Sequence, residues 1–395
     1  MRCDLRLGYH SHIPAILEND QILTPGYQGC FIDSLAAYCD TIVCFLHTPS
    51  HRDVFHWDYP IRSKNVRFVS IGPHTSVPHR TIFSNRFTQP IEQWKEKLDV
   101  LLIRGPSPLL PAMAKRASAL PISLLLVAEY LTSIDTIPQP KWRRELIRLW
   151  ATWNSKQQLM VAKKALTFVN SRKLYRDLEP HIPNLIEIKT TTLSAETFFK
   201  REDTCLSSPY HLLYTGRMSR TKGLLEMVEA VSLLEKEGIE VFLDLVGLPE
   251  RSDPVLEDIK SLASILGIAN RVIYHGYRPF GPHLFAFYQK ADVYVIPSYF
   301  EGFPRTIWEA MANSLPVIAT KVGSIPDYIS GVAELIEPKD ALALKNSVLK
   351  IIRNSEYRKK IIREGYDLAL NNISEQRSKE MVEKIEEFLS TRKRS

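Results

Sequence analysis

Arg217 and Lys222 share the segment YTGRMSRTKG (214–223), and Glu301 and Glu309 stand eight apart within residues 292–329. Arginine grips phosphate oxygens as a planar fork and lysine as a point charge, so the first pair suits a diphosphate. Carboxylates suit sugar hydroxyls. In a continuous helix, the spacing of the two glutamates would set them about 12 Å apart along the axis. Glu301, however, precedes the helix expected over 305–313, so the two carboxylates can bracket that helix's N-terminus, an anion site in its own right. Groups for hydroxyls on either side of a place for phosphate describe a nucleotide-sugar pocket.

Those side chains need strands to deliver them. Residues 293–296 read as a short buried strand stopped by Pro297, EGFP (301–304) as a loop, and 315–319 as a second buried strand. Upstream, an apolar strand over 211–215 leads into the loop of Arg217, and an amphipathic helix beginning near Lys222 runs to 236. Such strand–loop–helix units build parallel sheets, whose ligands gather at the carboxyl ends of the strands. Strands at 241–246 and 272–274 and charged amphipathic helices after 339 complete this half.

PS (297–298), EGFP, EAMA (309–312), PVIAT (316–320), a glycine loop and Pro326 follow in an order that resembles the Glu-x7-Glu signature of retaining glycosyltransferases of the family 4 type. The resemblance is strong over 210–370, weaker over 165–200 and architectural before that. It implies an α/β protein with the GT-B fold, two Rossmann-like domains facing a cleft, with acceptor on the first and donor on the second. It also implies catalytic roles for Arg217 and Lys222 at the departing nucleoside diphosphate and for Glu301 at the donor-sugar hydroxyls. Gly216, Gly302 and Phe303 would lie beside the donor, Glu309 would bind ribose hydroxyls, and the amides of Thr306 and Ile307 would meet the diphosphate. Pro304 has no N–H to offer. A βαβ unit with surface glutamates and a solvated basic loop is the plain alternative for the same residues.

The first half alternates in the same way: strands at 5–9, 42–47, 100–103, 122–127 and 166–171, with a helix over 31–38. The loop PGYQG, with Gly26 and Gly29, stands where the family carries a glycine pair beside the donor phosphates. It is not GxGxxG, and a turn-forming role serves these glycines equally. Many relatives carry a histidine after a first-domain strand; the comparable place here is 127–130, where Glu129 stands as the polar candidate toward acceptor or donor sugar. His10, His12 and His47 fall near strand ends, where a histidine is more often structural. Asn313 and Ser314 replace the family's small residue and glycine after EAMA.

At 395 residues, with 45% hydrophobic and 24% charged residues, the chain suits two globular domains. The expected division is 1–203, 204–374, and a helix over 375–395 that crosses back to the first domain. No apolar run reaches membrane-span length, the start lacks a long apolar stretch, and five cysteines without a CxxC pair read as reduced thiols. A cytoplasmic protein is therefore expected. Residues 1–200 hold 25 Lys and Arg against 17 Asp and Glu, so the basicity belongs to the first half. Residues 141–164 add seven Lys and Arg against one Glu, with Trp142, Trp150 and Trp153. Trp142, Leu146, Trp150 and Trp153 share a helical face that serves either an anionic membrane or the core.

The expectation is transfer of a hexosyl unit, with retention, from a nucleotide diphosphate sugar to a glycan or lipid-linked acceptor in cell-surface polysaccharide or glycolipid synthesis. No Asp-x-Asp occurs, so no metal or other cofactor is expected, and nucleic acid is not among the expected partners. Nucleotide-sugar epimerisation and a non-catalytic sugar-nucleotide-binding partner remain the other readings.

Overall fold

A computed structural model describes residues 4–51, 53, 55–127, 140–250 and 253–394. The chain divides into two compact units, one formed by Met1–Thr190 with Ser374–Ser395 and the other by Thr191–Ile373.

The first unit is built on a seven-stranded parallel sheet. Its strands are β1 (Arg6–Ser11), β2 (Thr41–Thr48), β3 (Val66–Pro73), β4 (Val100–Gly105), β5 (Ile122–Leu126), β6 (Leu166–Val169) and β7 (Leu185–Glu187), in the order β7-β6-β5-β4-β1-β2-β3. Strands covered on both faces read as continuous apolar runs. In β2, Ile42, Cys44 and Leu46 enter one core, while Val43 and Phe45 enter the other. Each such side chain stabilises the fold by about 1.5–3 kcal/mol relative to exposure. The edge strands β3 and β7 escape the sequence reading because their residues are largely half-exposed and form no apolar run. A small antiparallel sheet of Ile16–Glu18, Gln21–Thr24 and Tyr59–Pro60 escapes it too.

Helix α1 (Gly26–Ala36) begins earlier than expected, so Gly26 and Gly29 lie in its first turns and not in a loop. Gly29 has a packing reason: a β-carbon there would stand 2.1 Å from the Tyr59 ring. Three further helices carry residues of interest: α2 (Val77–Ile82), α3 (Lys141–Ala162) and, in the second unit, α4 (Leu224–Lys236).

The second unit's sheet has six parallel strands: β8 (Tyr210–Thr215), β9 (Val241–Val246), β10 (Val272–Gly276), β11 (Val293–Ile296), β12 (Val317–Thr320) and β13 (Glu334–Ile336). Their order is β10-β9-β8-β11-β12-β13. Both sheets thus run outward from their first strand in two directions, and the order reverses between β1 and β4 in one and between β8 and β11 in the other. Helix α5 (Arg305–Ala312) follows β11.

Residues 191–203, expected in the first domain, belong to the second unit. Polar contacts hold them there. Phe199 N–H donates to the Ala312 carbonyl, and Arg201 donates to the carbonyls of Tyr288, Gln289 and Ala291. Asp203 accepts a two-pronged contact from Arg358, at 2.6 and 2.9 Å. The last helix, α6 (Ser374–Arg394), packs in the first unit, where Met381, Val382 and Ile385 are buried with Ile32 and Leu35 of α1. Ser34 and Ser378 hydroxyls meet at 2.8 Å across this contact.

Helix α3 is inverted in polarity. Its inward face carries Ala151, Asn154, Gln158 and Ala162, while Trp142 (68% exposed), Leu146, Leu149, Trp153 (50%) and Met160 point to solvent. Trp150 is half-buried and off this stripe, which corrects the expected grouping of the tryptophans. No described helix is long and apolar enough to cross a membrane. Among the described residues no disulfide forms.

Candidate active site

The carboxyl ends of β8 and β11 adjoin, and the loops beyond them carry the residues that the sequence singled out. After β8, Gly216 turns the chain at φ +144°, and the buried Tyr214 hydroxyl donates to the Arg217 carbonyl at 2.8 Å, fixing this loop. A 3-10 turn, Arg220–Lys222, follows. Helix α4 starts at Leu224, later than expected, because Gly223 holds a left-handed conformation (φ +67°) at its N-cap. After β11, the Tyr299 N–H donates to the Thr221 carbonyl at 2.8 Å, tying the two loops together.

Across that tie, Lys222 Nζ lies 2.5 Å from Glu301 Oε1, both side chains about one-seventh exposed (15% and 14%). The Ser298 hydroxyl donates to the same oxygen at 2.9 Å, and Thr320 Oγ1 donates to the Ser298 carbonyl at 2.5 Å. Ser298 stood in the PS of the motif, but nothing in its residue type marked it as a partner of Glu301. Gly323 presses the other side of the loop: a β-carbon there would stand 1.9 Å from the Glu301 carbonyl oxygen. Ser324 N–H donates to the Gly302 carbonyl at 2.8 Å. Lys222 and Glu301 are therefore brought together at the point where the strand order reverses, the position at which open parallel sheets bind ligands.

The remaining expected residues are placed differently. Arg217 is exposed, 3.9 Å from Glu250. Around Gly302 there is open space where a side chain would stand. Phe303 packs on Trp308 and Tyr328 at ring distances of 4.8 and 5.0 Å, so its side chain is structural. Ile307 N–H donates to the Pro304 carbonyl at 3.2 Å, closing the first turn of α5, whereas the Thr306 amide stays among the donors that a helix start leaves unpaired. Glu309 is buried (5% exposed), and both carboxyl oxygens are engaged within the protein, by the Tyr288 hydroxyl at 2.8 Å and the Thr192 hydroxyl at 3.1 Å. The carboxylate expected at ribose hydroxyls thus has internal partners. Glu129 lies outside the described residues, and Gly26 and Gly29 lie in the first unit. Among the described residues no group of three or more His, Cys, Asp or Glu is placed to hold a metal ion.

Residues 197–368 match the family glycosyl transferases group 1. The match takes in every one of the loops just described. Among curated relatives, the D-inositol 3-phosphate glycosyltransferase of Arthrobacter sp. (strain FB24) is 38% identical over 117 residues, 29% of this chain and 27% of its own. The capsular polysaccharide biosynthesis glycosyltransferase CapM of Staphylococcus aureus is 28% identical over 189 residues, 45% of this chain and 48% of its own. The chain spans less than half the length of these curated relatives. Its structure is similar to sucrose-phosphate synthase from Thermosynechococcus elongatus, with a TM-score of 0.76 and 18% identity over 98% of this chain and 100% of that one. Anabaena HepE in complex with UDP gives 0.69 and 15% over 97% and 100%. At such identities the likeness shows the fold, which is GT-B, with two Rossmann-like α/β domains.

Burial raises the pKa of Glu309 above the ordinary carboxyl range, a shift that the hydrogen bonds from Tyr288 and Thr192 and the nearby Arg305 charge partly offset. The folded state therefore holds this proton more tightly than the unfolded chain does, and stability falls as pH rises from the ordinary carboxyl value through the raised one. Glu309→Gln keeps the shape without the charge. Its melting temperature should approach that of wild type well below the ordinary carboxyl pKa of about 4.3, where both states are protonated, and exceed it increasingly as pH rises through that value. Scanning fluorimetry across this range checks it; a gap that stays constant with pH would contradict the assignment.

Proposed function

We propose that the protein is a retaining glycosyltransferase of the family 4 type, moving a hexosyl unit from a nucleotide diphosphate sugar to a glycan or lipid-linked acceptor. The observation that carries this reading is the Lys222–Glu301 pair, 2.5 Å apart at the strand-order reversal of the second unit. Lysine and glutamate there supply a cation for a diphosphate and a carboxylate for sugar hydroxyls side by side. The relatives' names support the direction: HepE is seen with UDP and glucose, and CapM belongs to capsular polysaccharide biosynthesis.

In this mechanism the donor diphosphate takes the place of Glu301 beside Lys222 Nζ, and the freed carboxylate turns to the donor-sugar hydroxyls. Arg217, exposed and lightly held by Glu250, swings to the phosphates as a fork. As the bond from the anomeric carbon to the diphosphate oxygen breaks, charge builds on that oxygen, where Lys222, Arg217 and the Thr306 amide at the start of α5 meet it. The departing phosphate takes the acceptor hydroxyl proton on the same face as the new bond forms, so configuration is retained. Ribose would meet Glu309 by taking the place of the Thr192 hydroxyl.

Donor hydrolysis or transfer, measured over UDP-, GDP-, ADP- and dTDP-sugars preselected by thermal shift, tests the reading against epimerisation and against non-catalytic binding. Either an epimerised sugar or tight binding without turnover would overturn it. With the working donor, Lys222→Ala and Arg217→Ala should each lower kcat by about 100-fold or more, the scale of one preorganised contact to a developing charge. Melting temperatures identify any loss that is merely structural, and wild-type turnover in both variants would refute the roles.

The cations and helix start leave no task for a divalent ion at the diphosphate, and we propose a metal-independent reaction. Turnover should persist in excess EDTA; loss with chelator and rescue by Mn²⁺ would exclude this.

We also propose that the outward stripe of α3 rests on an anionic membrane. An apolar stripe with two tryptophans, edged by Lys141, Arg143, Lys156, Lys163 and Lys164, complements anionic headgroups over an apolar interior. The protein should sediment with phosphatidylglycerol vesicles at low salt and be released as salt rises. Leu149→Ser with Trp153→Ser should abolish sedimentation without a change in melting temperature, since both side chains face solvent. Failure to sediment at low salt would remove the membrane from the account.

A further inference from the structure

Both contacts on the Glu301 carboxylate fall on the same oxygen. Lys222 Nζ and the Ser298 hydroxyl each donate to Oε1, at 2.5 and 2.9 Å, since an ionised carboxylate only accepts. Among the described residues nothing donates to Oε2. One carboxylate oxygen is therefore tied within the unit, and the other is left to accept from a ligand.

The two donors reach that oxygen in different ways. Lysine carries its charge at the end of a long, flexible stem. Serine places its hydroxyl a single rotatable bond from the backbone, in a staggered rotamer, so Ser298 aims as well as its backbone is held. That backbone is held on both sides. The Thr320 hydroxyl, at the end of β12, donates to the Ser298 carbonyl at 2.5 Å. The next amide, that of Tyr299, donates to the Thr221 carbonyl beyond β8 at 2.8 Å. Ser298 and Thr320 are both wholly buried, so neither presents surface to a ligand, and each acts through its neighbour.

We propose that Ser298 is a positioning residue for the donor sugar: it pins Oε1 of Glu301, so that Oε2 accepts from one donor-sugar hydroxyl once the diphosphate has taken Lys222. The assignment rests on the glycosyl-transfer reading and adds to it a residue that does not touch the substrate. With Lys222 on the diphosphate, Ser298 is the remaining side-chain contact of Glu301 among the described residues, and the carboxylate turns about Oε1 without leaving its place. Three segments converge on this hydroxyl: the loop after β11, which carries Ser298 and Glu301; β12, through Thr320; and the loop after β8, through Thr221. Without the hydroxyl the carboxylate keeps its charge and loses its aim, and small errors of placement at a reacting sugar are costly.

The test measures kcat/KM for the donor that the protein transfers and for its monodeoxy forms, each lacking one sugar hydroxyl. Wild type should use one of the deoxy sugars less well than the parent by about tenfold or more, the scale of a hydrogen bond to a charged group. Ser298→Ala should lower kcat/KM for the parent sugar by about the same factor and leave that for the deoxy sugar nearly unchanged, because the contact being aimed is already missing from it. A serine that merely completes the loop would lower both sugars alike. Thr320→Val keeps the shape of its side chain and removes the donor to the Ser298 carbonyl. It should narrow the gap between the two sugars in the same way, and it carries the test should Ser298→Ala fail to fold. Equal losses on parent and deoxy sugar, no loss on either, or a wild type indifferent to every deoxy sugar would overturn the assignment and leave glycosyl transfer standing. A protein that transfers no sugar from any nucleotide would overturn both.

Discussion

Gly223 lies so close to Pro297 that a β-carbon would stand 2.1 Å from the proline's carbonyl oxygen. This backbone approach joins the loop after β8 to the loop after β11, and the site of the second unit depends on it. It sets the Thr221 carbonyl against the Tyr299 amide and thereby brings Lys222 to Glu301. A β-carbon at 223 would force the two loops apart, since it would meet backbone and not the far end of a flexible side chain. The left-handed backbone at φ +67° adds a second reason for glycine. Gly323 acts in the same way from the β12 side, where a β-carbon would meet the Glu301 carbonyl at 1.9 Å. Glu301 is thus held by backbone on two sides, while its carboxylate is held by the Lys222 cation and the Ser298 hydroxyl.

Behind that loop, Glu309 is a different kind of carboxylate. Its burial would cost several kcal/mol if it were ionised without partners. Tyr288 and Thr192 supply them, and each comes from a separate part of the unit: Tyr288 from the helix before β11, Thr192 from the segment preceding β8. The eight-residue spacing therefore separates two environments. Glu301 precedes the helix and faces Lys222; Glu309 lies within it and faces the interior.

These environments also show what a sequence can disclose. The strands around the second site were legible to within a residue or two, because both faces of the sheet are covered and Val293–Ile296 and Val317–Thr320 have no polar residue until the final threonine. Edge strands such as Glu334–Ile336 were not, since a half-exposed strand has no apolar run. The pairing of Lys222 with Glu301 was approachable through the resemblance of their motifs. The part played by Gly223 and Gly323 was not, because a glycine that permits close approach is written like one that merely turns. Gly26 and Gly29 show the reverse error: a pair that looked like a phosphate loop is the start of a helix seated on Tyr59. The inversion of α3 was hidden for a related reason. Periodicity identifies a stripe of Trp142, Leu146 and Trp153, but whether a stripe turns inward depends on what the neighbouring elements offer.

The two units share a strand order and therefore a place for ligands, yet they fill that place with opposite chemistry. In the second, the reversal point holds a cation and a carboxylate that satisfy each other. In the first, buried histidines lie around the ends of β1, β2 and β3, and burial holds their pKa values below the ordinary range. A pair that is satisfied loses little by waiting for its ligand. Nitrogens left without a partner among the described residues, as at His12, His47 and His74, carry their desolvation, about 1–3 kcal/mol per group.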